Sequence, residues 1–245
     1  MPARLFAWLM LALLPGLAVG ELRLYTEEAP PTSFLRDGEP DGYAVDLVRE
    51  LSRRTGSDAH IELIPWTRGY YLARHEPDIG LFMVVRTPER ESVFQWVGPI
   101  LQGTTRFYSL KDSGLRIESL EAARRAGTLA LPKQWYTYET LERMGFTNLH
   151  GVASPRLMVS MLKHGRVKLI ATEDLSLREE LAGGGLTPDE VQGHMAFMQS
   201  DYYIAFSART APGRVMRWQR ELEAMRRDGS LERIRQRWLP RAERF

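Results

Sequence analysis

The sequence predicts an α/β protein in which short strands and helices alternate along the chain. Three observations lead to this prediction: short apolar runs rich in β-branched residues, apolar residues at helical spacing between these runs, and Gly or Pro at the boundaries. This order of elements favours a parallel sheet with right-handed crossover connections. Ligands of such sheets bind beyond the carboxyl ends of the strands, so the turns that follow each strand are candidate site segments.

The first part of the chain is predicted to hold three strands and two helices. The third strand is the clearest, since it is apolar and β-branched and lies between Pro77 and Thr87-Pro88. A run of this kind predicts a strand buried on both faces. In order, the elements are strand Leu22–Tyr25, helix Tyr43–Arg54, strand Ile61–Ile64, helix Thr67–Arg74 and strand Ile79–Val85.

The rest of the chain repeats the α/β pattern and then closes with a strand and two helices. Gly183 to Gly185 are predicted to form a flexible tip. The elements are helix Ser119–Arg125, strand Thr128–Leu131, helix Tyr138–Met144, a helix from Ser154-Pro155 to Gly165, strand Val167–Ala171, strand Tyr202–Ser207, helix Val215–Arg226 and helix Leu231–Trp238.

Residues 1–20 have the pattern of a secretory signal peptide. Arg4 precedes an apolar core from Leu5 to Leu14, and small residues end the segment before Glu21. An uncleaved membrane anchor is the alternative, but this core is shorter than a bilayer span requires. The sequence therefore predicts an exported protein that is cleaved after Gly20.

Composition excludes several classes of function. The chain has no cysteine, which excludes disulfides, thiol catalysis and thiolate metal sites. Its five histidines are scattered without the spacing of metal ligands, so neither a metal nor another cofactor is predicted. Loss of Arg4 with the signal peptide changes the formal net charge from +2 to +1, with both signs interspersed. No affinity for nucleic acid or anionic membranes is therefore expected.

Two arginines lie at the turn that follows the strand Ile79–Val85. Arg86 and Arg90 flank this turn, and Pro88 is suited to begin a helix. A guanidinium at the carboxyl end of a buried strand, beside a helix N-terminus, favours the binding of a carboxylate. Two alternatives stay open: Glu89 forms a surface ion pair with one of the arginines, or strand alternation turns Arg86 outward to solvent.

Four more candidates lie near the ends of the first two strands. Trp66 and Arg68 follow the second strand, while Tyr25 and Phe34 lie at and beyond the end of the first. Pockets for small solutes combine apolar walls with a few fixed polar groups, which these residues would supply. The alternative for Trp66 is a place in the core, and the alternative for Phe34 is a packing role.

The second part of the chain contributes three candidates. Trp135 and Tyr136 are predicted to lie in a loop, where they are suited to covering a ligand. Glu173 follows the strand Val167–Ala171 and is a candidate polar contact. The alternative is that Glu173 and Asp174 cap a following helix.

Five segments, in this order, carry a resemblance to a known family. They are Tyr25–Phe34 (YTEEAPPTSF), Gly42–Val48 (GYAVDLV), Asp78–Ile100 (DIGLFMVVRTPERESVFQWVGPI), Met161–Ala171 (MLKHGRVKLIA) and Arg226–Trp238 (RRDGSLERIRQRW). Each segment alone is a weak signal, but together they cover essentially the whole chain after the signal peptide. The chain thereby resembles the family 3 extracellular solute-binding proteins, the periplasmic amino-acid-binding receptors of ABC importers.

The resemblance implies a type II periplasmic-binding-protein fold, in which two α/β lobes joined by two crossing strands close on a small solute. After the signal peptide (1–20), lobe 1 would comprise residues 21–105 and 203–245, and the inserted lobe 2 would comprise residues 106–202. The crossing strands are expected near Thr104–Tyr108 and Ser200–Ile204. The resemblance also implies a monomer located in the periplasm.

The resemblance implies roles for two candidate residues. Arg90 matches the arginine that clamps the ligand α-carboxylate, and Glu173 matches the acidic residue that takes the α-ammonium. The family usually has a threonine five residues before this arginine and a glycine seven before it, but here these places hold Val85 and Met83. This departure favours a ligand other than a free α-amino acid, with Arg86 as a candidate to compensate.

Three functions follow as hypotheses. The first is a receptor that captures a small polar or anionic, amino-acid-like solute and delivers it to an ABC permease, a partner implied by the resemblance alone. The second is a periplasmic enzyme similar to cyclohexadienyl dehydratases, with Glu173 as the general acid. The third is a ligand sensor for a signalling partner, which would use the same site.

Overall fold

The computed structural model describes residues 21–57 and 59–239 of the 245-residue chain. The predicted signal peptide, residues 1–20, lies outside the described residues. The described strands are β1 (Leu22–Thr26), β2 (Phe34–Arg36), β3 (Glu39–Asp41), β4 (Ala59–Leu63), β5 (Ile79–Val85), β6 (Phe94–Leu110), β7 (Leu129–Pro132), β8 (Leu149–Val152), β9 (Leu169–Glu173) and β10 (Val191–Ser207).

Most of the described helices agree with the spacing of apolar residues in the sequence, while the one-turn helix Pro88–Glu91 has no such spacing. The described helices are α1 (Tyr43–Thr55), α2 (Trp66–His75), α3 (Pro88–Glu91), α4 (Leu120–Arg125), α5 (Tyr136–Arg143), α6 (Pro155–Lys163), α7 (Leu177–Gly184), α8 (Pro212–Arg227) and α9 (Ser230–Trp238). Ser119 and Ser154 cap α4 and α6, because each side chain accepts a hydrogen bond from a backbone N–H three residues later. Gly56 ends α1 in the left-handed conformation that glycine adopts at low cost.

Eight of the described strands form one sheet in the order β4-β1-β5-β10-β6-β9-β7-β8. The strands β4, β1 and β5 are parallel to one another, and so are β8, β7 and β9. The prediction of parallel strands is therefore confirmed within each of these groups. We call β4-β1-β5 the first half of the sheet and β9-β7-β8 the second half. The separate pair β2-β3 was not predicted.

The strands β6 and β10 connect the two halves. Each is 17 residues long, and they pair antiparallel with each other from end to end, with register shifts at three places. The strand predicted at Tyr202–Ser207 is only the last part of β10, and β6 was expected only through the resemblance. Both strands mix polar and apolar residues without regular alternation, since their environment changes as they leave one half and enter the other. The periodicity of the sequence is therefore weak here.

Each half of the sheet has its own hydrophobic core. In the first half, α1 and α8 cover one face around Trp218 and Phe82, and α2 covers the other around Leu81. In the second half, α4 to α7 enclose a core that includes Leu169 and Met158. The carboxyl ends of β5 and β9 both lie next to the β6–β10 pair, which brings the predicted site segments to the middle of the molecule.

Two local predictions are wrong. Gly183 and Gly184 belong to α7, and Gly185 ends this helix in a left-handed conformation, so these residues do not form a separate flexible tip. Trp135 and Tyr136 do not lie in a loop, because Trp135 is the N-cap of α5 and Tyr136 is its first residue. The helix begins two residues earlier than predicted, since the apolar spacing used for the prediction starts only at Tyr138.

Within residues 21–57 and 59–239, no helix has both the length and the hydrophobicity needed to cross a membrane. The same residues contain no group of three or more His, Asp or Glu side chains that could hold a metal ion.

The core of the first half can be tested at Trp218. This side chain is 0% exposed, and its ring lies 5.3 Å from the Phe206 ring, edge to face. We expect Trp218→Ala to lower the free energy of unfolding by about 3–5 kcal/mol, because it leaves a large cavity. Urea unfolding measures this change in free energy, with the transition monitored by circular dichroism instead of tryptophan fluorescence. The control is Met216→Ala on the same helix, at a side chain that is 61% exposed; equal effects of the two variants would contradict the packing described.

Candidate functional site

Arg90 lies in the short helix α3, directly beyond the carboxyl end of β5. Its Nη1 donates a hydrogen bond to the Val85 carbonyl oxygen at 3.0 Å. Its guanidinium lies 5.4 Å from the centre of the Trp66 ring and 5.7 Å from that of the Tyr70 ring, both on α2. These contacts hold the guanidinium in place while leaving most of its donors available. Because α3 is only one turn long, its dipole adds little to an anion site.

Arg90 lines a cavity of about 240 Å³ that opens between the two halves of the molecule. The first half contributes Tyr70, Thr87, Glu89 and Arg90, and α5 of the second half contributes Tyr136, Glu139 and Arg143. Of the residues predicted from sequence, the structure therefore brings together Arg90 and Tyr136, with Trp66 behind Arg90. Tyr70 and Arg143 were missed by the sequence reasoning.

Arg86 is occupied by a neighbouring carboxylate. Its Nε and Nη2 donate to the two carboxyl oxygens of Glu91 at 2.6 and 2.5 Å. Its guanidinium also lies over the rings of Trp96 and Tyr203, and the residue is exposed. The surface ion pair considered from the sequence is thus present, but its acid is Glu91 and not Glu89. Since Nε and Nη2 of Arg86 already bind Glu91, this arginine is poorly placed to supply the ligand contact that the family's threonine makes.

Glu173 ends β9 and points over the β6–β10 pair. The Tyr202 hydroxyl donates to Glu173 Oε1 at 2.7 Å. Gly103 of β6 makes this position possible, because a Cβ there would lie 2.5 Å from Glu173 Oε2. Burial raises the pKa of Glu173 from 4.5 to about 7, although the bond from Tyr202 acts in the opposite direction. Glu173 is not among the residues that line the cavity beside Arg90.

Further carboxylates surround Glu173. Burial raises the pKa of Glu180 on α7, whose Oε2 has no hydrogen-bond partner. Desolvation also raises the pKa of Glu27, which follows β1 and acts on the nearby Tyr202, although the residue as a whole is exposed. Asp174 differs from these, because Arg106 Nε binds it at 3.0 Å and the Tyr108 hydroxyl at 2.6 Å. The region around Glu173 therefore has more buried carboxyl groups than cations to balance them.

The remaining candidates lie apart from the cavity. Tyr25 is 5% exposed in the core under α2, and Phe34 packs edge to face on Trp238 at 5.8 Å, which supports the packing alternative. Trp135 packs against the core of the second half. Arg68 is exposed on α2, and its side chain has no hydrogen bond or ion pair with another described residue.

The comparisons with known proteins agree with the fold. Residues 22–241 match the model of the bacterial extracellular solute-binding proteins, family 3. A search of curated protein sequences finds no significant match.

Three solved structures illustrate the structural similarity. A histidine kinase sensor domain with similarity to periplasmic binding proteins is 18% identical, with a TM-score of 0.78 over 90% of this chain and 96% of that chain. A mutant of ArgBP from T. maritima is 18% identical, with a TM-score of 0.74 over 89% of this chain and 95% of that chain.

The third structure is an ancestral amino acid-binding protein that is a precursor of cyclohexadienyl dehydratase. It is 18% identical, with a TM-score of 0.73 over 89% of this chain and 95% of that chain. At these identities the three structures show a common fold, and they do not transfer a ligand to this chain.

The pKa of Glu173 predicts a pH dependence of stability. The folded pKa of about 7 lies above the ordinary value of 4.5, so the folded state binds more protons between these values. The contribution to stability is therefore complete below about pH 4.5 and is lost as the pH rises through about 7. We expect Glu173→Gln to reduce the difference in unfolding free energy between about pH 5 and pH 8 by about 2–3 kcal/mol.

Denaturant unfolding at the two pH values measures this difference. Gln keeps an acceptor for the Tyr202 hydroxyl, so the substitution changes mainly the charge. Glu139→Gln, at an exposed glutamate, is the matched control and should leave the pH dependence unchanged. An unchanged pH dependence in Glu173→Gln would show that the carboxyl is hydrated and titrates normally.

Proposed function

The chain belongs to the bacterial extracellular solute-binding proteins, family 3, and we propose that it captures a small polar or anionic, amino-acid-like solute between two lobes. Lobe 1 comprises residues 21–105 and 203–245, and lobe 2 comprises residues 106–202. The strands β6 and β10 serve as the connection about which the lobes close. Ligand binding favours the closed state because the solute contacts both lobes only in that state.

The observation that carries this proposal is the cavity beside Arg90, which residues from both halves line. Its volume of about 240 Å³ suits a small solute rather than a drug-sized molecule. Arg90 supplies a positioned guanidinium with free donors, which recognises a carboxylate through two parallel hydrogen bonds. Glu173 supplies the acidic group expected to take a ligand ammonium, with Tyr202 orienting its carboxyl.

The backbone near Arg90 explains how the chain departs from its family. Met83 has a φ of 62°, in the left-handed region, at the point where the pairing of β5 with β10 shifts register. A non-glycine residue in this region costs about 1–2 kcal/mol, which fits a position where the family usually has glycine. Val85 contributes only its carbonyl, as the acceptor for Arg90. The ligand therefore loses the hydroxyl contact that a threonine would provide.

Arg90→Ala tests the proposed clamp. The substitution leaves a desolvated ligand carboxylate without its partner, so affinity for a ligand identified by screening should fall more than tenfold, or about 2–5 kcal/mol. Arg90→Lys should keep only part of the ligand affinity, because an ammonium group does not reproduce the planar pair of donors of a guanidinium. Thermal-shift screening of amino acids, peptides, polyamines and organic acids identifies the ligand, and isothermal titration calorimetry measures its affinity.

The stacking of Arg90 on Trp66 and Tyr70 predicts a modest loss of ligand-free stability, about 1 kcal/mol. Arg68→Ala on the neighbouring helix is the control, since the side chain of this exposed arginine has no hydrogen bond or ion pair with another described residue. Full ligand affinity in Arg90→Ala would make Arg90 a purely structural residue. The absence of a thermal shift with every compound in the screen would contradict the proposal of a solute receptor.

A second candidate function is an enzyme of the cyclohexadienyl dehydratase type. The observation that favours it is the Glu173 pKa of about 7, which suits a general acid near neutral pH. No second group that this reaction would need is evident beside Glu173 among the described residues. Incubation with prephenate or arogenate decides the question: we expect no aromatic product, and turnover that Glu173→Gln abolishes would establish the enzyme.

Delivery to an ABC permease, a periplasmic location and a monomeric state follow from the family as further parts of the proposal. A sensor role is the alternative, since a histidine kinase sensor domain shares the fold with a TM-score of 0.78. The ligand site would be the same in both cases. Permease and ATPase genes beside the gene of this protein would support import, and their absence would favour signalling.

A further inference from the structure

Two arginines from opposite halves of the molecule line the same cavity. Arg90 follows β5 in the first half, and Arg143 is the last residue of α5 in the second half. Each guanidinium lies over a tyrosine ring of its own half: Arg90 is 5.7 Å from the Tyr70 ring centre and Arg143 is 5.6 Å from that of Tyr136. Both tyrosines also line the cavity. The two cations are therefore positioned independently of each other and face one space.

Both arginines lack a close carboxylate partner. Arg90 has no described carboxylate within 4.0 Å, and its guanidinium donates a hydrogen bond to the backbone carbonyl of Val85. The nearest acid to Arg143 is Glu89 across the cavity at 3.9 Å, too long for a direct hydrogen bond. By contrast, Arg86 binds Glu91 at 2.5 Å. The cavity thus contains guanidinium donors whose hydrogen-bonding capacity is largely unused.

The contact between Glu89 and Arg143 is weak and easily replaced. The Glu89 side chain is 68% exposed and that of Arg143 is 55% exposed, so water screens their attraction. The pKa of Glu89 is lowered first by the neighbouring Thr87, and only then by the charges of Arg143 and Arg90. The attraction of Arg143 is therefore not the main influence on Glu89.

We propose that Arg90 and Arg143 form a two-sided oxyanion site, in which one carboxylate or phosphate group of the solute bridges the two guanidiniums. The inference rests on the proposed function and names the ligand chemistry of its cavity. Arg143 then determines specificity, because it adds a second cation, from the other half, to the group that Arg90 binds. The ligand oxyanion takes the place of Glu89 beside Arg143. A bridging anion of this kind links the two halves through charge-assisted hydrogen bonds.

The test uses inorganic phosphate and succinate as probes, titrated into the purified protein by isothermal titration calorimetry. We expect saturable binding of at least one probe to the wild type. Arg143→Ala and Arg90→Ala should each weaken it about tenfold or more. Arg143→Lys, which keeps the charge, should recover part of the affinity. The matched control is Arg125→Ala, at an exposed arginine of the second half that pairs with Glu121 at 3.2 Å away from the cavity.

Glu89→Gln separates an oxyanion site from a simple ion-pair latch. If Glu89 competes with the ligand for Arg143, its neutralisation should tighten probe binding by about threefold or more. If Glu89 and Arg143 form a latch that closes the lobes, Glu89→Gln should instead weaken binding as Arg143→Ala does. Circular dichroism melting confirms that each variant is folded.

Weaker binding in Glu89→Gln, unchanged binding in Arg143→Ala, or no binding of either probe would each overturn the oxyanion site. Failure of the oxyanion-site proposal is distinguishable from failure of the receptor proposal. A protein that responds to solutes in the thermal-shift screen but binds neither phosphate nor succinate remains a receptor without this site. A protein that binds phosphate but no solute in the screen has the oxyanion site without the receptor function.

Discussion

The antiparallel pairing of β6 with β10 is the constraint on which the rest of the structure depends. These two strands share a backbone ladder over 17 residues each, and they pass from the core of the first half into that of the second. Because β5 pairs with β10 and β9 pairs with β6, the carboxyl ends of both strands are held on either side of this ladder. The positions of Arg90 and Glu173 follow from that arrangement.

The electrostatics of the middle of the molecule divide into two regions. Around Arg90 the cations lie over aromatic rings and remain accessible to a ligand, and two exposed acids, Glu89 and Glu139, line the same cavity. In the second region, desolvation raises the pKa values of Glu173 and Glu180 above the ordinary range. A solute with an anionic group and a cationic group would relieve both conditions, since it supplies an anion to the first region and a cation to the second.

Features that depend on local sequence could be predicted, and features that depend on distant contacts could not. The strand Ile79–Val85 has the predicted bounds, and Arg90 could be proposed because it lies at the turn that follows this strand. Arg143 gave no signal, since only the packing of α5 across the cavity brings it near Arg90. Tyr202 was recognised as part of a strand but not as a partner of Glu173. The register of β10 on β6 determines that contact, and the sequence does not encode it in any short pattern.

We propose that one solute contacts both halves of the molecule at the same time. A crystal structure of the protein with its copurified or screened ligand tests this contact. The account predicts ligand density between the halves, with an anionic group within hydrogen-bond distance of Arg90 and other ligand atoms in contact with α5. A ligand bound to only one half, or on a surface away from Arg90, would contradict the account.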